Sequence, residues 1–226
     1  MSKQEFVQAW ESVLDRLKAE SAELSRLDAA AGDGDLGVTI SIGCKAVRKV
    51  LPELADQDIG TIVARSGMAF NNAASSTFGA LFAIGAMRAG KEAKAAEELD
   101  AGLLARMVRA SEAGIKEKGK AERGDRTLLD SLGPSADALE AAVNDGKGLQ
   151  DVVGLATDAA RNGVESTKQM KAKSGRAAWI AERSAGQQDP GATAVLFMWE
   201  ALDGFLRAGF KPAPTVSIPG SPQSLL

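Results

Sequence analysis

Histidine and tyrosine are absent from this sequence of 226 residues, and Cys44 is its only cysteine. The lack of histidine excludes histidine general-base chemistry, histidine phosphotransfer and histidine metal ligation within the chain. A single cysteine excludes an internal disulfide and a thiolate zinc site, and it is typical of a reducing compartment. We therefore expect a cytoplasmic protein whose acid and base groups are Asp, Glu, Lys or Cys44, or come from a partner.

Long apolar runs and a strong excess of one charge are also missing. No segment approaches the roughly 18 apolar residues of a membrane helix, and the N-terminal MSKQEFVQAWESVLDRL is amphipathic and unlike a signal peptide. The formal net charge is -3 with 25% charged residues, so no basic field favours nucleic acid. We expect neither a membrane nor a nucleic acid as a partner.

Apolar residues recur at three- and four-residue spacing along most of the chain, and this periodicity predicts helices. Ala and Leu dominate, and no segment alternates polar and apolar residues over the length of a strand. Pro52 and several glycines predict breaks between helices. The predicted fold is all-α, a single domain over residues 1–210 with a Pro-rich and flexible tail at 211–226. Its eight predicted helices span about residues 3–24, 37–51, 58–70, 76–90, 97–118, 127–144, 148–170 and 191–208.

Three aspartates, Asp28, Asp33 and Asp35, lie close together in the run LDAAAGDGDLG, among glycines that let the backbone turn sharply. Neighbouring carboxylates repel one another, and a hard cation between them removes this repulsion. Mg²⁺ held by a few carboxylates completes its shell with water and substrate phosphates, so the run predicts a magnesium site beside a nucleotide. Helix capping is the alternative. An EF-hand calcium loop does not fit, because Val38 and Cys44 replace its required glycine and glutamate.

Two other segments are candidates for phosphate binding. In NNAASSTFGALFAIG, residues 71–85, the hydroxyl residues Ser75, Ser76 and Thr77 precede an apolar helix whose first N–H groups could bind phosphate. Taken by itself, however, this segment favours a simple N-cap. The connection 171–195 contains basic residues that suit either phosphates or a solvated loop, namely Lys171, Lys173, Arg176 and Arg183. Two near matches to a Walker A loop lack its Ser or Thr, so no such loop is expected.

The chain resembles the nucleotide-binding L subunit, or L domain, of dihydroxyacetone kinases over about residues 3–208. The resemblance is carried by LDAAAGDGDLG, ADQDIG, SSTFGALF, EKGKAERGDRTLLD and KSGRAAWIAERSAGQQDPGATA. It implies a barrel of eight antiparallel helices with ADP or ATP bound at one end. It also implies that Asp28, Asp33 and Asp35 coordinate Mg²⁺ at the nucleotide phosphates.

The same resemblance implies which residues contact the nucleotide. Gly119 and Leu128 match positions beside the adenine and ribose, and Arg176 matches an arginine that contacts phosphate. The turn at 189–191 matches one that closes over the nucleotide. The full implied set is Leu36, Gly37, Val38, Thr39, Ser76, Thr77, Phe78, Gly119, Leu128, Arg176, Asp189, Pro190 and Gly191.

The implied reaction is phosphoryl transfer to a hydroxyl of dihydroxyacetone or a similar short ketose. A separate K subunit holds the ketose through its own histidine, so this chain is expected to supply no catalytic residue and to be active only with that partner. Leu36 and Phe78 stand where many relatives have His and a small residue, which leaves the ketose open. The phosphoryl donor is ATP or a phosphotransferase-system protein. The alternative function is a nucleotide-sensing regulatory or binding protein without turnover.

Overall fold

The computed structural model describes residues 1–171 and 186–209. Over these residues the chain forms helices and no strand, apart from an isolated bridge between Ser2 and Glu98, so the predicted all-α class is confirmed. Arg176, Lys173, Arg183 and the tail at 211–226 lie outside the described residues. The helices are α1 Lys3–Ala19, α2 Ser21–Ala31, α3 Leu36–Leu54, α4 Ile59–Ala73, α5 Thr77–Glu92, α6 Ala101–Gly119, α7 Leu129–Asn144, α8 Leu149–Thr167 and α9 Pro190–Ala208.

The described part of the chain thus has nine helices where the periodicity predicted eight. The first predicted segment is two helices that meet at Glu20, whose φ of -90° and ψ of 7° end α1. No glycine or proline marks this position. The change of direction is set by packing, because α2 lies against α3 and its Ser21 closely approaches Gly37. As a result Asp28 lies in the last turn of α2, whereas the predicted helix bounds placed it in the connection after the first helix.

Pro52 does not break α3, contrary to the prediction, since the helix continues to Leu54. A proline this close to the end of a helix removes only one hydrogen-bond donor, and buried Leu51 and Leu54 on either side hold the last turn against the core.

Neighbouring helices pack in a closed series. α1 contacts α3, each helix from α3 to α9 contacts the next, and α9 contacts α1 again, while α2 lies on α3 and α9. Burial of apolar side chains is the main force that holds such a series together. Each helix directs an apolar face to the common core, and fully buried members include Leu14, Ile40, Ile62, Leu139 and Val153. None of the helices in the described residues combines the length and the apolar character of a membrane span.

Candidate functional site

A cavity of about 380 Å³ lies where several helices begin. Its lining includes the first residues, or the capping residues, of α3, α5, α7 and α9. The N-terminal end of a helix carries N–H groups without a helical partner and a partial positive charge, so it attracts anions. Four such ends at one cavity make an environment suited to phosphate groups. The lining residues at these ends are Asp35, Leu36, Ser76, Thr77, Leu128, Leu129, Asp189 and Pro190.

The three clustered aspartates lie at this cavity. Asp28 is in α2, Asp33 is in the following turn, and Asp35 occupies the N-cap position of α3. Each can offer one carboxylate oxygen such that the three oxygens lie within 4.8 Å of one another. Gly34 permits this geometry, since its φ of 79° is one that side-chain-bearing residues rarely adopt. The donor set, three carboxylates with exposed Asp33 and Asp35, fits a hard cation such as Mg²⁺ that retains exchangeable ligands.

Helix capping explains only part of this cluster. The side chain of Asp35 makes no capping hydrogen bond although it occupies the N-cap position. Asp28 does support α3, because its Oδ2 accepts a hydrogen bond of 3.1 Å from the N–H of Leu36. Capping therefore uses one oxygen of Asp28 and none of Asp35.

The start of α3 presents backbone donors next to the aspartates. The first helical hydrogen bond joins the N–H of Thr39 to the carbonyl of Asp35 at 2.9 Å, so the N–H groups of Gly37 and Val38 precede it. Leu36 and Thr39 line the cavity. Val38 directs its side chain outward and is 58% exposed. Gly37 packs so closely on α2 that a side chain there would overlap the carbonyl oxygen of Ser21.

At the start of α5, Ser76 is an N-cap, as the capping interpretation of this segment predicted. Its Oγ accepts a 3.0 Å hydrogen bond from the N–H of Gly79, and its carbonyl accepts one of 2.9 Å from the N–H of Ala80. The N–H groups of Thr77 and Phe78 precede these bonds, and both residues line the cavity. Capping and phosphate binding are therefore compatible in this segment.

The turn before α9 is held by Asp189, which is buried. Its Oδ2 accepts a 2.7 Å hydrogen bond from the N–H of Ala192, and its own N–H donates to Thr167 Oγ1 at 2.9 Å. Burial raises the pKa of the Asp189 carboxyl to about 7, against the opposing effect of the Ala192 N–H and of the charge on Arg126. Pro190 and Gly191 complete the turn, and all three residues of the turn line the cavity.

The remaining wall comes from the end of α6 and the loop before α7. It contains Gly119 and Leu128, two of the residues that the resemblance implied, and also Arg126 and Thr127, which sequence reasoning missed. Arg126 is 4% exposed and is the only cationic side chain among the described residues that line the cavity. It lies inside EKGKAERGDRTLLD, a stretch that carries the resemblance. Within so many charged neighbours, however, no residue pattern indicates that this arginine is buried.

A second, apolar cavity of about 190 Å³ lies between α1, α4, α5, α6, α7 and α9. Phe78, Ile115 and Leu128 line both cavities. The ring of Phe78 also contacts the aromatic residues beneath it, with centroid distances of 6.2 Å to Phe70 and 6.3 Å to Phe82. Phe78 therefore forms part of the boundary between the polar cavity and the apolar interior.

Residues 30–204 match the DAK2 domain. The chain belongs to the DAK2 domain family. This DAK2 domain is 35% identical over 188 residues to the ADP-binding subunit DhaL of the PEP-dependent dihydroxyacetone kinase of Escherichia coli K12, a match that covers 83% of this chain and 90% of the relative. A DhaL subunit of a Listeria innocua PEP-dependent dihydroxyacetone kinase is 32% identical over 177 residues, covering 77% of this chain and 82% of the relative.

Longer proteins also contain this domain. The L-erythrulose kinase of Pectobacterium atrosepticum is 31% identical over 86% of this chain, which spans 33% of that protein. The structure of the dihydroxyacetone kinase from C. freundii in complex with AMP-PNP and Mg²⁺ superposes with a TM-score of 0.69 at 26% identity, covering 88% of this chain and 33% of that one. The resemblance to the L subunit or L domain is confirmed by these matches.

Proposed function

We propose that this DAK2 domain is the nucleotide-binding subunit of a dihydroxyacetone kinase. It would take part in phosphoryl transfer to a hydroxyl of dihydroxyacetone, or of a similar short ketose, held by a separate K subunit. The observation that carries the proposal is the meeting of three carboxylates with four helix N-termini at one cavity. The relatives named as ADP-binding kinase subunits, and the relative with AMP-PNP and Mg²⁺, support it.

The charges of the cavity support a requirement for metal. Asp28, Asp33 and Asp35 outnumber Arg126 among the described lining residues. A polyphosphate alone would be repelled by this excess of carboxylates. Held by the three aspartates, Mg²⁺ would supply the positive charge that offsets the phosphate oxygens and their developing charge during transfer.

The residues of the chain itself would bind and orient the nucleotide. The N–H groups at the starts of α3 and α5, those of Gly37, Val38, Thr77 and Phe78, are directed along their helices and would donate to phosphate oxygens. Because these helices are packed on the core, the donors are held in place before the ligand arrives, which is the main contribution a protein makes to phosphoryl transfer. Gly119 and Leu128 would flank the adenine and ribose. Arg176 is proposed as a phosphate contact.

The ketose and its base are assigned to a partner. Deprotonation of an acceptor hydroxyl near neutral pH is served best by a histidine or by a carboxyl with an adjusted pKa, and this chain contains no histidine. The carboxyl of Asp189 has a raised pKa, but it is buried and caps α9 by accepting a hydrogen bond from the N–H of Ala192. The relatives in E. coli and L. innocua are named as subunits, which agrees with a division of labour between two chains. We therefore propose that a K subunit supplies the substrate-binding histidine.

The nucleotide is proposed to be ADP, kept as a cofactor and rephosphorylated by a phosphotransferase-system protein. Support comes from the DhaL relatives of E. coli and L. innocua, which are described as PEP-dependent and ADP-binding. Mass spectrometry of nucleotide released from the purified protein, followed by timed exchange with free ATP, tests this assignment. Retained ADP that exchanges slowly would agree with a cofactor, and rapid exchange would show that ATP is a substrate.

The decisive experiment for the proposed function is calorimetric titration with ADP. Binding is expected in the presence of Mg²⁺ and should be lost in EDTA. Asp33→Asn removes one ligand charge and should weaken binding by roughly tenfold or more, about 1.4 kcal/mol. The matched control is Asp145→Asn, which makes an equal change of charge. Asp145 lies at the C-terminal end of α7, about 24 Å along that helix from the end at the cavity. Equal affinity with and without metal would contradict the proposal.

A further inference from the structure

The backbone of Arg126 adopts a conformation that favours glycine. Its φ is 62°, in the left-handed region that costs a residue with a side chain about 1–2 kcal/mol. The conformation is fixed by buried Asp130, whose carboxylate accepts hydrogen bonds from the N–H groups of Gly124 and Thr127, the latter at 2.7 Å. Glycine would fit this position with less strain, so the presence of arginine indicates that its side chain has a role.

The side chain of Arg126 joins two segments that are far apart in sequence. Its Nη2 donates a hydrogen bond of 2.9 Å to the carbonyl oxygen of Gln187, two residues before Asp189. A buried guanidinium loses its hydration, and the hydrogen bond to Gln187 replaces part of what Arg126 loses. This hydrogen bond therefore ties the loop before α7 to the residues that lead into α9.

The segment at 186–190 is also attached to the end of α8. The N–H of Gly186 donates to the carbonyl of Lys168 at 3.1 Å, and the N–H of Asp189 donates to Thr167 Oγ1 at 2.9 Å. Both of these bonds hold the segment from the side of α8. Arg126 adds an attachment from the side of the loop before α7, where the cavity wall continues through Thr127 and Leu128.

We propose that Arg126 is a positioning residue that fastens the segment at 186–190 to the loop before α7 and so fixes this wall of the cavity. Its effect on ligand affinity rests on the proposed function, since the ligand is taken to be a nucleotide. Its effect on the segment at 186–190 does not depend on that assignment. The two effects can therefore be measured separately.

The test uses Arg126→Gly in the full chain. Glycine accepts the backbone conformation, so the midpoint of thermal unfolding should stay equal or rise. Without the guanidinium, the amides of Gly186 and Asp189 should exchange with solvent at least roughly tenfold faster, and the Kd for Mg²⁺ and ADP should rise by roughly tenfold. A folded variant with unchanged amide exchange at Gly186 and Asp189 would overturn the proposal.

Lys120→Gly is the matched control. Lys120 also has a positive φ, 50°, in the same connection, but its side chain is exposed and does not line the cavity. This change removes the same charge and relieves similar strain, and it should alter neither amide exchange at 186–190 nor ADP affinity. An equal acceleration of exchange in both variants would show a general loosening of the loop and would overturn the specific role of Arg126.

A second variant keeps the proposal testable if Arg126→Gly does not fold. Arg126→Lys keeps the charge but replaces the planar guanidinium. The exchange rates of the Gly186 and Asp189 amides should therefore lie between the rates in the unchanged chain and the rates expected when the segment is loosened. Unchanged exchange in this variant would overturn the proposal. If the unchanged chain bound no nucleotide, the proposed function would fail, while the exchange measurement would still decide the role of Arg126.

Discussion

The Asp28 carboxylate accepts a hydrogen bond of 3.1 Å from the backbone N–H of Leu36. The bond connects the last turn of α2 to the first residue of α3 across the turn that contains Asp33 and Asp35. Asp28 thus has two roles, because one oxygen supports the start of α3 while the carboxylate also belongs to the cluster suited to a cation. The local structure and the candidate metal site depend on the same side chain.

Substitutions at Asp28 should separate these two roles. Asp28→Ala removes the acceptor and should lower the free energy of unfolding by about 1 kcal/mol, the usual cost of losing a helix cap. Asp28→Asn keeps an oxygen that can accept from Leu36 and relieves repulsion within the cluster, so its stability in EDTA should equal or exceed that of the unchanged chain. Both variants should bind Mg²⁺ and ADP poorly. Urea unfolding in EDTA and calorimetry provide the two measurements, and equal destabilisation by both substitutions would contradict this account.

Gly37→Ala should destabilise the contact between α2 and α3. The added carbon would overlap the Ser21 carbonyl oxygen, and overpacking of this kind costs about 1–3 kcal/mol. The matched control is Gly204→Ala, in the C-terminal part of α9, where no heavy atom outside the helix backbone would lie within 4 Å of the new side chain. That control should gain about 0.5–1 kcal/mol from helix propensity. Urea unfolding compares the two variants, and similar midpoints would show that the close approach of α2 to Gly37 is not needed for stability.

Asp189→Asn should change how stability depends on pH. Burial raises the pKa of Asp189 to about 7 in the folded chain, against roughly 3.9 in the unfolded chain. The folded state therefore holds the proton more tightly, so the stability that this group contributes is present below about pH 4 and is lost as pH rises through about 7. Relative to the variant, the unchanged chain should lose at most about 1.4 kcal/mol per pH unit across this range.

The measurement is urea unfolding of both chains at several pH values between 4 and 8. The charged neighbours of Asp189 are Arg126, which opposes the shift, and Asp130, which adds to it. Neither is altered by Asp189→Asn, so the difference between the two profiles reports on Asp189. Parallel profiles would mean that Asp189 is ionised over this whole pH range and that its surroundings offset the cost of burying the charge.

The purified chain alone should not phosphorylate dihydroxyacetone when supplied with ATP and Mg²⁺. It has no histidine to hold or activate the ketose, and the described cavity wall suits phosphates and a metal. Addition of a K subunit, with the phosphoryl donor appropriate to the system, should give turnover in a coupled assay. Rapid turnover without a partner would contradict the proposed division between subunits. Binding of ADP without turnover under any combination would favour the nucleotide-sensing alternative.

The candidate site was predicted from sequence to an uneven degree. The aspartate cluster was visible because its residues are close in sequence, and the spacing of glycines and carboxylates is a local property. Leu128 and Asp189 could be named only through resemblance to a family, since about 60 residues separate them. Arg126 was missed, because burial of one arginine in a charged stretch depends on what packs against it. The division of the first helical segment at Glu20 was missed for a similar reason.

The sequence by itself determined the all-helical class, the chemistry excluded by the lack of histidine, and the preference of the aspartate run for a hard cation. Periodicity and residue type are sufficient for these conclusions, because each depends on neighbours along the chain. Only the tertiary structure decided that α3, α5, α7 and α9 begin at one cavity and that Arg126 reaches Gln187. Such convergence follows from the packing of helices distant in sequence, whose contacts are fixed by burial of the shared core and not by any single segment.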